Sequence, residues 1–240
     1  SPDAEIRARG LTHLDWALDC AIALGAESMG GPFHAPIGVF TGSGPSEDEL
    51  KYGADAHRAL AERAAAHGMH LSLEPLNRFE TYIFNRAAQA LALADAVHPD
   101  CGVCLDAYHL NMEESDIYDA IRLAGKRLFD FHVADNNRFA AGLGHLNWPK
   151  IVETLKEIGY DYVELNERNY AERSADELAG LVKDAGLYCP ASHVNYENVR
   201  DDTAGVIKAL TTLGANYGVI PWIAYQGRTM EGYKRHAAMF

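Results

Sequence analysis

Short apolar runs recur along the chain at a nearly constant interval, and the central ones end in an acidic residue or a histidine. Matched on Glu74, Asp106, His132, Glu164 and His193, successive runs lie 26 to 32 residues apart. Runs of this length and composition are typical of strands buried on both faces of a sheet. A strand and a helix repeated at this period predict right-handed βαβ crossovers and therefore a parallel sheet.

Seven strands are predicted in this way, and polar residues follow nearly all of them. Their ranges are Glu27–Phe33, His70–Leu76, Gly102–His109, Leu128–Ala134, Tyr162–Leu165, Leu187–Val194 and Tyr217–Ala224. Polar groups at so many strand ends favour a parallel (β/α) barrel of the TIM type over a doubly wound sheet, which concentrates its site at one switch point. We therefore expect an α/β fold with residues 1–240 as one barrel domain. An eighth strand lies in Ala35–Thr41, or the barrel is incomplete or closed by another chain.

Helix boundaries are marked by capping signals between these strands. Ser46 and Ser174 each precede a glutamate by three residues and predict capping boxes, and Asn147 predicts an N-cap with proline in the first turn. One continuous helix is predicted over Val199–Leu213.

Composition narrows the classes of function. A net charge of −13 argues against nucleic acid as a partner, because phosphate binding needs clustered Lys and Arg. No apolar run reaches the ~20 residues that a membrane span requires. Four cysteines indicate a reducing compartment, with the cytoplasm as the expected location, and the Cys101–Cys104 pair is interpreted as buried structural thiols.

Glu74, Asp106 and His132 each stand at the carboxyl end of a predicted strand. Because the carboxyl ends of parallel strands face one mouth of a barrel, we expect these three side chains to meet there. Two carboxylates and an imidazole suit Mn²⁺ best, with Mg²⁺ or Co²⁺ as alternatives and Zn²⁺ as a weaker one. The sequence therefore predicts a divalent metal site.

Each of these residues also has a simpler interpretation. A salt bridge to Arg78 or Arg138 would account for one of the buried carboxylates without a metal. A histidine such as His132, taken alone, is more often a hydrogen-bonded core residue. The occurrence of all three groups at successive strand ends favours the metal.

Several motifs resemble those of the ketose 3-epimerases, a group of xylose isomerase-like barrels acting on D-tagatose and D-psicose. Over about residues 1–161 these motifs are MGGPFH, LEPLNRFE, CLDAYHLNMEE, FHVADNNR and GLGHLNWPKI. The resemblance implies that Glu74, Asp106 and His132 bind the metal and that Glu74 is also an acid/base carboxylate. It further implies a homodimer, a small sugar as substrate, and C3 epimerisation through an enediolate. In that family Glu80, His109 and Arg138 would hold the sugar.

The sequence departs from this family pattern at the second catalytic glutamate, which is also the fourth metal ligand. Alignment of DYVELNERNY places Asn166 at that position. Glu164 has the required inward parity but lies one layer deeper, whereas Glu167 has the opposite parity. Glu164 is the candidate second catalytic carboxylate, and its alternative role is to pair with a neighbouring Lys, Arg or His.

From about residue 159 onward the chain resembles the N-terminal half of inosose dehydratase-like sugar isomerases. A chimera with a junction near residues 155–162, recombined or designed, is one explanation, and a natural permutation is another. By this resemblance His193 would bind substrate at the same mouth, or serve as a core histidine, and Trp222 would pack. Two other functions are a chimeric barrel that binds metal with little or no turnover, and an inosose dehydratase-like lyase.

Overall fold

Four parallel strands form the main sheet of the protein. A computed structural model describes residues 1, 3–139, 141–165, 173–220 and 229–237. The sheet has the order β1-β2-β3-β4, so each strand pairs with the next one along the chain. The strands are β1 (Ser28–Gly31), β2 (His70–Leu73), β3 (Cys101–Asp106) and β4 (Leu128–His132). These are the first four strands that the apolar runs predict, and together they make a parallel half-barrel.

The other predicted strands do not pair with this sheet within the described residues. Two of them, β5 (Ala191–His193) and β6 (Tyr217–Val219), form a separate parallel pair. Tyr162–Leu165 makes two isolated bridges, to Tyr188 and Ser192, instead of a full strand. Residues 35–41 form turns and irregular backbone, so the prediction of an eighth strand there is wrong. The described residues thus form a half-barrel and a small second sheet rather than a closed eight-stranded barrel.

Helices connect the strands as the parallel topology requires. The described helices are α1 (Ala4–Ala23), α2 (Glu47–Ala66), α3 (Ala87–Val97), α4 (Ala107–Glu113), α5 (Ile117–Ala124), α6 (Trp148–Glu157), α7 (Ala175–Asp184), α8 (Tyr196–Asp201), α9 (Thr203–Leu213) and α10 (Met230–Ala237). None of them combines the length and apolar character that a membrane span requires.

The capping predictions are confirmed at three helices and one helix prediction is wrong. Ser46 and Ser174 form capping boxes, and Asn147 caps α6 with proline in its first turn. The helix predicted over Val199–Leu213 is broken between α8 and α9. At the break Asp202 leaves helical geometry, with φ −143° and ψ 60°, and its carboxylate accepts the Gly205 N–H. An aspartate that satisfies a free helical N–H in this way starts a new helix.

Buried apolar side chains are concentrated in the half-barrel. One cluster of thirteen buried residues joins β2 to α1, α2 and α3, and a second of thirteen joins β3 and β4 to α3, α5 and α6. The second sheet has a cluster of only four buried residues among those described: Leu165, Leu178, Cys189 and Leu213. Since burial of apolar area is the main stabilising term, the half-barrel is the more stable part.

This difference predicts how backbone amides exchange with solvent. We expect the β2 and β3 amides to exchange only through global unfolding, and the β5 amides to exchange through a local opening of lower free energy. Native-state hydrogen exchange followed by mass spectrometry would measure both. Equal exchange free energies for β3 and β5 would contradict the prediction.

Candidate metal centre at the strand ends

Three polar side chains lie together where β2, β3 and β4 end. Glu74 directly follows β2, and Asp106 and His132 are the last residues of β3 and β4, where they are paired in register. The backbone N–H of Glu74 donates to the Gly31 carbonyl and so extends the pairing with β1. The strand register therefore holds all three residues at one edge of the half-barrel.

The distances within this group fit a single bound cation. Nδ1 of His132 lies 3.3 Å from Oε1 of Glu74 and 3.7 Å from Oδ2 of Asp106. Two ligand atoms that are each about 2.1 Å from a shared ion lie roughly 3 to 3.5 Å apart. The other Asp106 oxygen accepts the Tyr108 N–H at the start of α4, which leaves Oδ2 facing the group. The donor set and its spacing match a divalent metal.

His132 offsets part of the negative charge of the two carboxylates in this group. The side chains of Glu74 and Asp106 are 10% and 14% exposed, so both carboxylates are largely removed from water. Burial lowers the pKa of His132, but hydrogen bonds with Asp106, Asp130, Cys104 and Glu74 outweigh burial and raise it above its ordinary value. A positive charge at this position, on the imidazole or on a cation, stabilises the two carboxylates.

Among the described residues, neither Arg78 nor Arg138 pairs with Glu74 or Asp106, so the salt-bridge alternative for these carboxylates is wrong. Arg78 forms a bidentate pair with the buried Glu113, whose Oε1 also accepts the Arg78 backbone N–H at 2.7 Å. Arg138 instead pairs with Glu80. Within the described part of the chain, Glu74 therefore has His132 within ion-pair distance, together with His109 at 4.0 Å, and no arginine.

His109 lies next to the centre, with Nε2 as the ring nitrogen near Glu74. Its Nδ1 accepts the backbone N–H of Asn77 at 3.1 Å, so the proton of the neutral ring is on Nε2. That nitrogen lies 4.0 Å from Oε1 of Glu74. Burial lowers the pKa of His109 more than Asp106 and Glu74 raise it, which keeps the ring neutral. Sequence reasoning missed Asn77, which is buried and whose amide also donates to Glu80.

Glu80 and Arg138 form a second polar group beside the centre. The Arg138 guanidinium donates to Glu80 and lies 4.3 Å above the Tyr108 ring. Its loop is held by Asp135, a fully buried residue whose carboxylate accepts the N–H groups of Asn136, Gly142 and Leu146 and the indole of Trp148. Asp135 therefore positions Arg138 and does not face the metal group.

Two further residues lie on the other side of the His132 ring. Nε2 of His132 is 3.5 Å from the Cys104 sulfur and 3.5 Å from Oδ2 of Asp130. Each of these residues stands two positions before a predicted ligand on the same strand, so it has the same inward parity one layer deeper. Cys101 and Cys104 are buried free thiols, which confirms their interpretation from the sequence. The Cys104 sulfur, however, also contacts His132 of the centre. Strand parity was the signal that could have identified it.

Glu164 and His193 form a separate pair at the second sheet. His193 Nε2 lies 2.8 Å from Glu164 Oε1, and the side chains are 30% and 41% exposed. Glu164 thus has the histidine partner that its alternative interpretation expected, and it is not among the described side chains around Glu74 that could hold a metal ion. Asn166, Glu167 and Trp222 lie outside the described residues.

Known proteins resemble the part of the chain that forms the half-barrel. The family model described as xylose isomerase-like TIM barrel matches residues 1–163. D-psicose 3-epimerase of Agrobacterium fabrum is 34% identical over 67% of this chain and 56% of that protein. For 3-dehydro-D-guloside 4-epimerase of Escherichia coli the identity is 31%, over 74% of this chain and 72% of that protein.

A solved structure of a sugar epimerase has a similar fold over a similar share of this chain. The crystal structure of D-allulose 3-epimerase from Methylomonas sp. in complex with D-allulose has a TM-score of 0.64 and 32% identity, and covers 67% of this chain and 56% of that one. The chain spans about half the length of the ketose 3-epimerases that it matches. Because the family model ends at residue 163, the inosose dehydratase-like character of the later residues and the chimeric junction stay predictions.

The geometry of the centre predicts stabilisation by a cation. Mn²⁺ at a hundred times its Kd should add about 2.7 kcal/mol to the free energy of unfolding, by mass action. Glu74→Gln and His132→Ala should remove this gain, because each deletes a ligand. Thermal unfolding with and without Mn²⁺ would measure it, with the exposed Glu153→Gln as matched control. A Mn²⁺-induced stabilisation that persisted in both variants would place the cation elsewhere.

Proposed function

The chain belongs to the xylose isomerase-like TIM-barrel family, and we propose that it is a divalent-metal-dependent epimerase acting on the C3 carbon of a ketose. The observation that carries this proposal is the convergence of Glu74, Asp106 and His132 at adjacent strand ends. A neutral hydrogen-bond donor, His109, and an ion pair, Glu80 with Arg138, lie beside them. Such a group suits a small polyhydroxy substrate with one carbonyl group.

A divalent cation, with Mn²⁺ preferred, would be held by Glu74, Asp106 and His132 and would polarise the carbonyl and neighbouring hydroxyl oxygens of the sugar. The two carboxylates favour an oxygen-preferring ion. No arginine among the described residues competes with the cation for Glu74.

Glu74 is the proposed base that removes the proton from the carbon next to the carbonyl group. Its carboxylate is 10% exposed, which strengthens its interactions with the reacting atoms relative to water. The Nε2–H of His109 lies close enough to donate to a sugar oxygen held over Glu74. Glu80 would accept from a sugar hydroxyl, and Arg138 would donate to another.

Return of the proton to the opposite face needs a second acid, and Glu164 is our candidate. The phenol of Tyr162 donates to the Phe129 carbonyl at 3.3 Å, which sets the segment carrying Glu164 beside β4. His193 Nε2 contacts Glu164 and would position its carboxylate. If Glu164 does not reach the substrate, the chain binds metal and sugar without producing the epimer.

The relative from Escherichia coli supports a second candidate substrate. Its name describes a 4-epimerase of a 3-dehydro sugar, and this chain covers 72% of it. Both reactions invert a carbon that bears a proton next to a carbonyl group, so the same base and donors would serve either substrate. The C4 carbon of a 3-keto sugar is therefore the alternative site of epimerisation.

Proton removal and proton return can be measured separately. In D₂O with Mn²⁺, the protein should introduce deuterium at C3 of D-fructose or D-tagatose and form the C3 epimer, both followed by NMR. Glu164→Gln should lower epimer formation by about 10²- to 10⁴-fold while deuterium exchange continues, because Glu74 still removes and returns a proton on one face. Glu74→Gln should abolish both.

Glu153→Gln should leave both rates unchanged, since its side chain lies on the exposed face of α6. Epimer formation that Glu164→Gln does not slow would exclude Glu164 as the second acid. Absence of both exchange and epimer for ketoses and for a 3-keto sugar, with Mn²⁺ bound, would leave metal binding as the function.

A further inference from the structure

Potential metal ligands surround Glu74 on two sides. On one side, ligand atoms of Glu74, Asp106 and His109 lie within 4.8 Å of one another, and His132 Nδ1 joins this side. On the other, ligand atoms of Glu74, Cys104 and His132 also lie within 4.8 Å of one another. The proposed epimerase chemistry uses only the first of these two groups of side chains.

The position of Cys104 follows from the pleat of β3. Cys104 precedes Asp106 by two residues and so shares its face, one layer below the strand end. It is 1% exposed, and its sulfur faces His132 Nε2 at 3.5 Å. Cys101, three residues earlier, has the opposite parity and packs in the cluster that joins β2 to α1, α2 and α3. Cys104 is thus the one thiol of β3 that faces the metal pocket.

The spacing of the sulfur fits coordination to one ion with a ring nitrogen. A metal–sulfur bond of about 2.3 Å and a metal–nitrogen bond of about 2.0 Å, at a tetrahedral angle, separate the two ligand atoms by roughly 3.5 Å. A thiolate added to a carboxylate and an imidazole favours softer cations over Mn²⁺ and Mg²⁺. The pocket therefore offers different donors to hard and to thiophilic ions.

We propose that the metal pocket has two overlapping donor sets that share Glu74 and His132, and that a thiophilic cation such as Cd²⁺ or Zn²⁺ recruits the Cys104 sulfur. When the sulfur–metal bond forms, the S–H bond breaks and the proton leaves to water. An ion held by Cys104 would have a ligand one layer deeper along β3 than one held by Asp106. It competes with Mn²⁺ for the shared ligands. This proposal rests on the metal centre of the proposed function, but not on catalysis.

Spectroscopy of the metal-loaded protein tests the sulfur directly. Chelator-stripped protein titrated with Co²⁺ or Cd²⁺ should develop a sulfur-to-metal charge-transfer band in the ultraviolet. Cys104→Ser should lose this band and bind Cd²⁺ at least about tenfold more weakly, since even the loss of an outer partner costs that much. Cys101→Ser, a matched buried thiol on the opposite face of β3, should retain both.

Mn²⁺ binding separates this proposal from the metal centre itself. Electron paramagnetic resonance should give equal Mn²⁺ affinity for the native protein and Cys104→Ser. Mn²⁺ binding with no charge-transfer band in the native protein would overturn the sulfur donor alone. Failure of every cation to bind would overturn the metal centre and this proposal together.

X-ray absorption of the Zn²⁺-loaded native protein gives a test that needs no variant. One sulfur neighbour at about 2.3 Å is expected in the first coordination shell. A shell of nitrogen and oxygen alone would overturn the proposal, whether or not Cys104→Ser folds.

Discussion

Glu74 carries a charge into the largely apolar wall of the half-barrel, and the surrounding structure compensates that charge. An unpaired buried carboxylate costs several kcal/mol, and Asp106 adds a second one beside it. The compensating group is the His132 imidazole, 3.3 Å from Glu74 and 3.7 Å from Asp106. The two arginines that would otherwise neutralise a carboxylate are bound to Glu113 and Glu80. The pocket is thus kept available for a cation.

The strand register carries this arrangement into the interior. Next to the layer of Glu74, Asp106 and His132 lies a second layer with the same parity, which contains the buried Cys104 and Ser72 and the half-exposed Asp130. A TIM barrel usually fills such layers with bulky branched side chains. Here the layer is small and polar, and the Ser72 hydroxyl is buried without a hydrogen-bond partner among the described residues. Small polar groups leave room around the His132 ring, so both of its nitrogens face potential metal ligands.

Local patterns predicted the four strands of the main sheet and the meeting of the three candidate ligands, because strand identity and parallel order fix where strand ends lie. They left open whether the barrel closes, and the described residues form the incomplete barrel of those alternatives. Closure requires the last strand to pair with β1, and no local pattern encodes that pairing. The salt bridge between Arg78 and Glu113 also depends on tertiary structure, because it forms only when α4 approaches the residues after β2. The break at Asp202 was readable in principle, because aspartate before a helix is a capping signal. A continuous apolar pattern concealed it.

The proposed metal binding and the proposed turnover depend on different parts of the chain. Each of the three candidate ligands lies in the half-barrel, whose two large apolar clusters fix the strand ends that carry them. The candidate second acid, Glu164, lies instead on a segment with two isolated bridges and a core of four buried residues. Positioning a proton donor to within hydrogen-bond reach demands a rigid support. If Glu164 is the second acid, as proposed, inversion at carbon would depend on the stability of the second sheet, whereas the three candidate metal ligands lie in the half-barrel.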